Sequence, residues 1–279
     1  TIREARSFIQ RIKQEGKTVN DAVNQALTIV ENYNGVIIAD VVGLGKSIIA
    51  GLVAKNLNQR GMIICPPGIM GDKNAKSGWR KYKHDFELYN WEIRSCGDLE
   101  NIEEYLEKQG DDIEVVIVDE AHRFRNEDTE NYEMLSNICR NRKVILMTAT
   151  PFNNSPADIL SMLKLFIVTG KSTITLDDNL EARFSYYNYL FQRLSFISKN
   201  YSSKDPGKRN RAENYYEKIF GSLPVNLSKV KGRSSILAAQ IRAVIEPITI
   251  RRNRLDLKND PYYKKEITQI SECAPPKEL

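Results

Sequence analysis

Histidine and cysteine are scarce in these 279 residues, with two His and four Cys. The cysteines, Cys65, Cys96, Cys139 and Cys273, stand far apart with no CxxC pair, and only His84 and His122 are there to join them. That argues against a zinc cluster and leaves reduced, mostly buried thiols, as expected of a cytoplasmic protein. Also missing is any apolar run near the length of a membrane span, so no membrane partner is expected. No leader peptide is visible, and the sequence opens on Thr1 rather than Met, which reads as a fragment or the ordered part of something longer. Internal repeats are absent. So is a strong net charge: +5 is compatible with a nucleic-acid partner without requiring one. What the chain does have is apolar mass. Its 41% hydrophobic residues suffice for the core of one large domain or two small ones.

Residues 1–18 read as a charged, weakly amphipathic helix. From Asn20, a capping residue type, Ala22, Val23, Ala26, Leu27, Ile29 and Val30 recur at helical spacing until Asn34-Gly35 turns the chain. Four short apolar runs follow: Val36–Ala39, Met62–Cys65, Val115–Val118 and Val144–Met147. Their β-branched content, with little alternation, suits strands buried on both faces. Helical patterns lie between them. Ile48, Ile49, Leu52, Val53 and Leu57 form one, 98–108 and 130–140 form two more, and 156–166 closes this part. Such alternation predicts an α/β fold, a parallel sheet with helices on both faces and ligands at the strands' carboxyl ends. Near residue 170 the character changes. Residues 178–246 carry long polar and aromatic helical stretches, 202–210 reads as a Gly-, Pro- and Lys/Arg-rich loop, and the last ten residues read as a linker or a return to extended chain.

The first strand runs into ADVVGLGKS at 39–47. A strand, a glycine-bearing loop ending in Gly-Lys-Ser, then a helix is the layout of a phosphate site. Gly43, Leu44 and Gly45 would turn the backbone so that its N–H groups face phosphate oxygens, helped by the dipole of the following helix. Lys46 would reach the β- and γ-phosphates of a nucleotide, and the Ser47 hydroxyl would ligate Mg²⁺. Asp40 stands where the general P-loop pattern has its first glycine, so this stretch alone also fits a turn that holds nothing.

The third run ends in Asp119-Glu120-Ala121-His122. Acidic side chains at the end of a buried strand are costly without work or a partner. Asp119 would hold Mg²⁺, mostly through water, and Glu120 would orient the attacking water. The fourth run ends in Thr148-Ala149-Thr150-Pro151, by itself only a turn, whose hydroxyls could hydrogen-bond both the acidic pair and an outgoing phosphate.

DVVGLGKS, CPPGIM, VDEAHRFRN, TATPFNN and IRRNRLDL occur in the order of the first-lobe motifs of superfamily 2 ATPases. In this the chain resembles the Swi/Snf-type, DEAH-box branch over about residues 20–256, and is similar to bacterial helicase-related members sometimes fused to a phospholipase D-like domain. The resemblance implies a RecA-like first lobe over 19–168, a helical protrusion over 169–256 and a linker over 257–279 toward an absent second lobe. It implies ATP hydrolysis coupled to movement along nucleic acid, most of all duplex DNA. Lys46 and Ser47 would bind ATP and Mg²⁺, Asp119 and Glu120 would support hydrolysis, and Thr148 and Thr150 would couple the sites. Pro66, Pro67 and Gly68, with the helix holding Trp79, match the element that meets the nucleic-acid backbone.

Two departures stand out. The family's adenine-reading glutamine falls near Val19, where there is none; either adenine is read otherwise, or residues are omitted near 15–21. The second-lobe motifs are also absent, so near-zero turnover is expected of this chain alone. Basic residues gather late, at Lys204, Lys208, Arg209, Arg211, Lys229, Lys231, Arg233, Arg251, Arg252 and Arg254, with Tyr215 and Tyr216 among them. They suit phosphate contacts or a solvated surface equally, and Arg251 and Arg252 suit an interlobe seam. A lobe that has lost its chemistry and serves as an ATP- or DNA-binding scaffold is the alternative. The intact Lys46, Asp119 and Glu120 count against it.

Overall fold

The computed structural model describes residues 16–39, 45–72, 74, 76–110, 112–149, 155–167 and 179–251, with side chains from Val19 onward. The segment 1–15 and the linker 257–279 lie outside the described residues. The four apolar runs become β1 (Gly35–Ile38), β2 (Gly61–Cys65), β4 (Val115–Val118) and β5 (Lys143–Met147). All four residues of β1 and of β4 are buried, as continuous Val/Ile runs require when both faces are covered. Two strands were hidden from the sequence. Strand β3 (Glu92–Ser95) carries Glu92 and Arg94 and is only half-buried, because it is an edge. Strand β6 (Thr249–Ile250) is two residues long and forms the other edge.

The sheet order is β3-β2-β4-β5-β1-β6. Each pairing is parallel, with Gly35 opposite Val144 and Val115 opposite both Gly61 and Lys143. The connecting helices are α2 (Lys46–Leu57), α3 (Gly78–Asp85), α4 (Leu99–Gln109) and α5 (Glu130–Cys139). From β1 to β2 to β3 the chain moves one way along the sheet, and from β3 to β4 to β5 it returns. Right-handed crossovers therefore put α2 and α3 on one face and α4 and α5 on the other. The packing agrees: α2 touches α3, and α4 touches α5.

Helix α1 (Gly16–Tyr33) lies on α2 and β1 through Val19, Ala22, Val23, Ala26, Ile29 and Val30. It is already helical at Gly16, so the expected cap at Asn20 is corrected: Asn20 sits inside the helix, exposed. The apolar period continues back to buried Val19, and packing of that face outweighs the capping preference of one Asn.

Helix α6 (Pro156–Lys164) starts in a capping box. The Asp158 N–H donates to Ser155 Oγ and the Ser155 N–H donates back to Asp158 Oδ2. Beyond it, α7 (Leu180–Asn200), α8 (Pro206–Phe220) and α9 (Leu227–Ile245) form a helical layer docked on α6. The reading of 202–210 as a loop is corrected. Asp205 Oδ1 accepts from the Gly207 and Lys208 N–H groups and Pro206 occupies the first turn, so the helix begins inside that stretch. Asn179 and Asn226 cap α7 and α9 in the same way. Among the described residues no helix is long and apolar enough to cross a membrane.

Candidate active site

Strands β2, β4, β5 and β1 are neighbours, so Pro66, Asp119, Thr148 and Ala39 follow one another along the carboxyl edge of the sheet. The chain leaves β1 toward one face and leaves β4 and β5 toward the other, which makes a crevice at their ends. Pairing runs past the strands. The Asp119 N–H donates to Ile64 O at 2.8 Å, Thr148 N–H to Ile38 O at 3.1 Å, and Ala39 N–H to Ile250 O at 2.8 Å.

The phosphate side of the crevice is the start of α2. Gly45 caps it with φ 81° and ψ 33°, and its carbonyl accepts from the N–H groups of Ile48 and Ile49. A Cβ there would meet only the Ile48 side chain at 3.5 Å, so torsion rather than space requires glycine. Lys46 and Ser47 are the first two helical residues, both half-buried, where N–H groups lack intrahelical partners. Gly43 and Leu44 lie outside the described residues.

Asp119 is 5% exposed. Trp79, itself 1% exposed, donates its indole N–H to Asp119 Oδ2 at 2.9 Å, and the Glu120 N–H donates to Oδ1 at 2.9 Å. Burial pushes the carboxyl of Asp119 up; the Trp79 and Glu120 hydrogen bonds and the Lys46 charge pull the other way. Lys46 and Asp119 therefore share one electrostatic environment across the crevice. Next to it, burial and the Asp119 charge push the Cys65 thiol up to about 12.

Glu120 adopts the left-handed conformation, φ 55° and ψ 44°. For a side-chain-bearing residue this costs about 1–3 kcal/mol, a strain that is met at functional positions. Its carboxylate is about a third exposed and lies 3.2 Å from His122 Nδ1. The pair is not aligned as a hydrogen bond, and Nδ1 is buried with no hydrogen-bond partner among the described residues. Behind this turn Glu127 accepts from Ser161 Oγ and Lys164 Nζ, both at 2.9 Å, and Lys164 also reaches Glu181 at 3.0 Å. The segment after the acidic pair is thus clipped to α6 and α7.

Thr148 is fully buried at the end of β5; Thr150 lies outside the described residues. Pro66, Pro67 and Gly68 form a short turn after β2, with Pro67 and Gly68 exposed. Arg251 follows β6 at the same edge and is exposed, while Arg252 is outside the described residues. The structure therefore brings together Lys46, Ser47, Asp119, Glu120 and Thr148, with Pro66 and Arg251 on the flanks. What the sequence did not disclose is that Trp79 touches Asp119. They are forty residues apart, and no local pattern links an indole to a distant carboxylate.

A family model described as the SNF2-related domain matches residues 68–274. The match begins after α2, so Gly45–Ser47 stand on their own geometry at the start of that helix. An uncharacterized ATP-dependent helicase of Bacillus subtilis, YqhH, is 32% identical over 154 residues, covering 50% of this chain and 28% of that protein. ATP-dependent helicase fft1 of Schizosaccharomyces pombe is 26% identical over 158 residues, covering 47% of this chain and 16% of that protein. This chain thus spans well under half the length of either relative. Among solved structures, the Sulfolobus solfataricus SWI2/SNF2 ATPase core in complex with dsDNA superposes with a TM-score of 0.51 at 15% identity, over 94% of this chain and 54% of that one. That likeness shows the same RecA-like fold of a parallel sheet wrapped by helices. With the family model covering most of the sequence, the chain belongs to the SNF2-related family, the Swi/Snf-type branch of the superfamily 2 helicase-related ATPases.

Proposed function

We propose that this chain is the ATP-binding first lobe of a nucleic-acid-stimulated ATPase that moves along duplex DNA when a second lobe completes its site. In this reading, 19–168 is the nucleotide lobe and 169–256 its helical protrusion. The observation that carries it is the convergence of Lys46 and Ser47 with Asp119, Glu120 and Thr148 along one sheet edge. The N–H groups at the start of α2 would hold phosphate oxygens, and the Lys46 ammonium would offset their charge. Ser47 and Asp119 offer hard oxygen donors, which fits Mg²⁺. Bound there, Mg²⁺ would neutralise charge building on the phosphates. Glu120 is exposed enough to orient an attacking water, and it sits at the left-handed turn that ends β4. Thr148, with Thr150, would couple phosphate release to the acidic pair.

A nucleic-acid partner is supported by charge. Residues 179–251 hold thirteen Lys or Arg against five Asp or Glu. Duplex DNA is the ligand of the structural relative, and the exposed Pro67–Ile69 turn stands beside the site as an element that would meet a backbone. Against the scaffold reading stand Lys46, Asp119 and Glu120, the residue types that chemistry at this site would need. The test joins the chain to the second lobe of its native reading frame and measures ATP turnover with and without duplex DNA. Turnover should rise with DNA and vanish in Lys46→Ala, while this chain alone should fall short by a factor of roughly 10³–10⁵ for want of second-lobe arginines. Unchanged turnover in Lys46→Ala would sink the proposal.

A further inference from the structure

The buried bond between Trp79 and Asp119 joins two parts of the molecule that the sequence treats separately. Trp79 is the second residue of α3, the helix that follows the Pro66–Gly71 turn, which is exposed at Pro67–Ile69. Turn and helix are locked as one piece. The Arg80 N–H donates to Met70 O at 2.9 Å, and Arg80 Nη1 donates to Gly71 O at 2.7 Å. Gly71 and Gly78, at φ 96° and 58°, stack backbone on backbone, so closely that a Cβ on either would overlap the other strand of the turn. Asp72 closes the outer loop by accepting from the Asn74 and Lys76 N–H groups and the Ser77 hydroxyl.

The inner side of α3 meets both halves of the nucleotide site. Trp79 reaches Asp119, and also stands edge-on to Tyr82 at 5.8 Å between ring centres. Tyr82 stacks on Phe86, and Phe86 lies so close over Gly51 of α2 that a Cβ there would overlap the ring. Lys55 of α2 pairs with Glu87 just past α3 at 2.9 Å. The turn is therefore connected, through packed side chains, both to the helix that begins at Lys46 and to the carboxylate of Asp119.

We infer that Trp79 is a positioning residue: its indole N–H fixes the orientation of the Asp119 carboxylate for Mg²⁺ and carries nucleic-acid contact at the Pro66–Gly71 turn into the nucleotide site. The inference rests on the ATPase reading above. Of the two carboxylate oxygens, Oδ2 is directed by Trp79 and Oδ1 by the Glu120 N–H, so the open lone pairs have one fixed direction. Removing a partner that orients a metal-binding group costs about 10- to 100-fold in metal affinity. Coupling between two sites reaches about 5- to 150-fold.

Trp79→Phe removes the N–H and keeps most of the ring. In the 279-residue protein, affinity for a fluorescent ATP analogue is measured with Mg²⁺ and with a chelator. The variant should lose about 10- to 100-fold of the gain that Mg²⁺ brings, with chelator affinity unchanged. Separately, Trp91→Phe leaves Trp79 as the one tryptophan. Its emission should shift when duplex DNA binds, with binding followed independently by anisotropy of a labelled duplex. An unaltered Mg²⁺ gain in Trp79→Phe, or an equal loss with chelator, overturns the inference. DNA that binds without moving the Trp79 emission overturns the coupling and leaves the nucleic-acid reading standing. Failure of both ligands to bind overturns both.

Discussion

Asp72 is exposed, yet its carboxylate gathers three donors from its own loop. The Lys76 N–H, and after it the Ser77 hydroxyl, hold its pKa below the usual aspartate value. Because the folded value is the lower one, this stabilisation is present above the unfolded pKa and is lost as pH falls through the folded pKa. A carbon-13 titration should place Asp72 below an ordinary aspartate, and Ser77→Ala should move it part of the way back. A titration point that ignores Ser77→Ala would refute the assignment. At this scale the sequence is uneven as a guide. Lys46, Ser47, Asp119 and Glu120 were legible because each belongs to a contiguous motif at a strand end. The left-handed backbone of Glu120, the Trp79 bond and the high thiol pKa of Cys65 were not, since each depends on neighbours supplied by tertiary packing.

Helices α7 and α8 are sewn together by arginines lying on rings. The Arg193 guanidinium stands 3.4 Å from the Tyr189 ring centre and 5.0 Å from that of Tyr215. Arg211 lies 5.1 Å from Phe196 and 5.3 Å from Tyr215, and its Nε donates to the Tyr215 hydroxyl at 2.9 Å. Tyr215 is the shared member. Tyr215→Leu keeps apolar bulk and removes both cation–ring contacts, so urea unfolding should show a loss on the order of 1 kcal/mol. No change in the midpoint would mean that the contacts are incidental. The sequence foretold helices here from long polar and aromatic stretches. It misjudged the start of α8, because Asp205-Pro206 looks like a loop by composition and is a cap by geometry. Strand β3 escaped because an edge strand has no need of a continuous apolar run, and β6 because two residues carry no period.

Across the whole molecule charge is divided. The chain's net +5 is less than the surplus carried by residues 179–251, so the rest is net negative. Such a division would orient an approaching polyanion before it docked and make its binding sensitive to salt. Lys208 and Arg209 are exposed at the start of α8 and take no part in its packing. Lys208→Glu with Arg209→Glu should weaken binding to duplex DNA about equally for all sequences. It should also flatten the salt dependence by roughly one unit of slope for each phosphate no longer neutralised. An unchanged slope would assign these residues to solvent. The hydrogen bonds that extend the sheet past its strands, to Asp119, Thr148 and Ala39, have a different consequence. Main chain, not side chain, keeps the rim of the crevice in register. Chemistry can therefore be deleted from the rim while its shape persists, and a descendant lobe with a silent site would look the same in outline. In this architecture catalytic competence is a property of individual side chains that the fold displays without requiring.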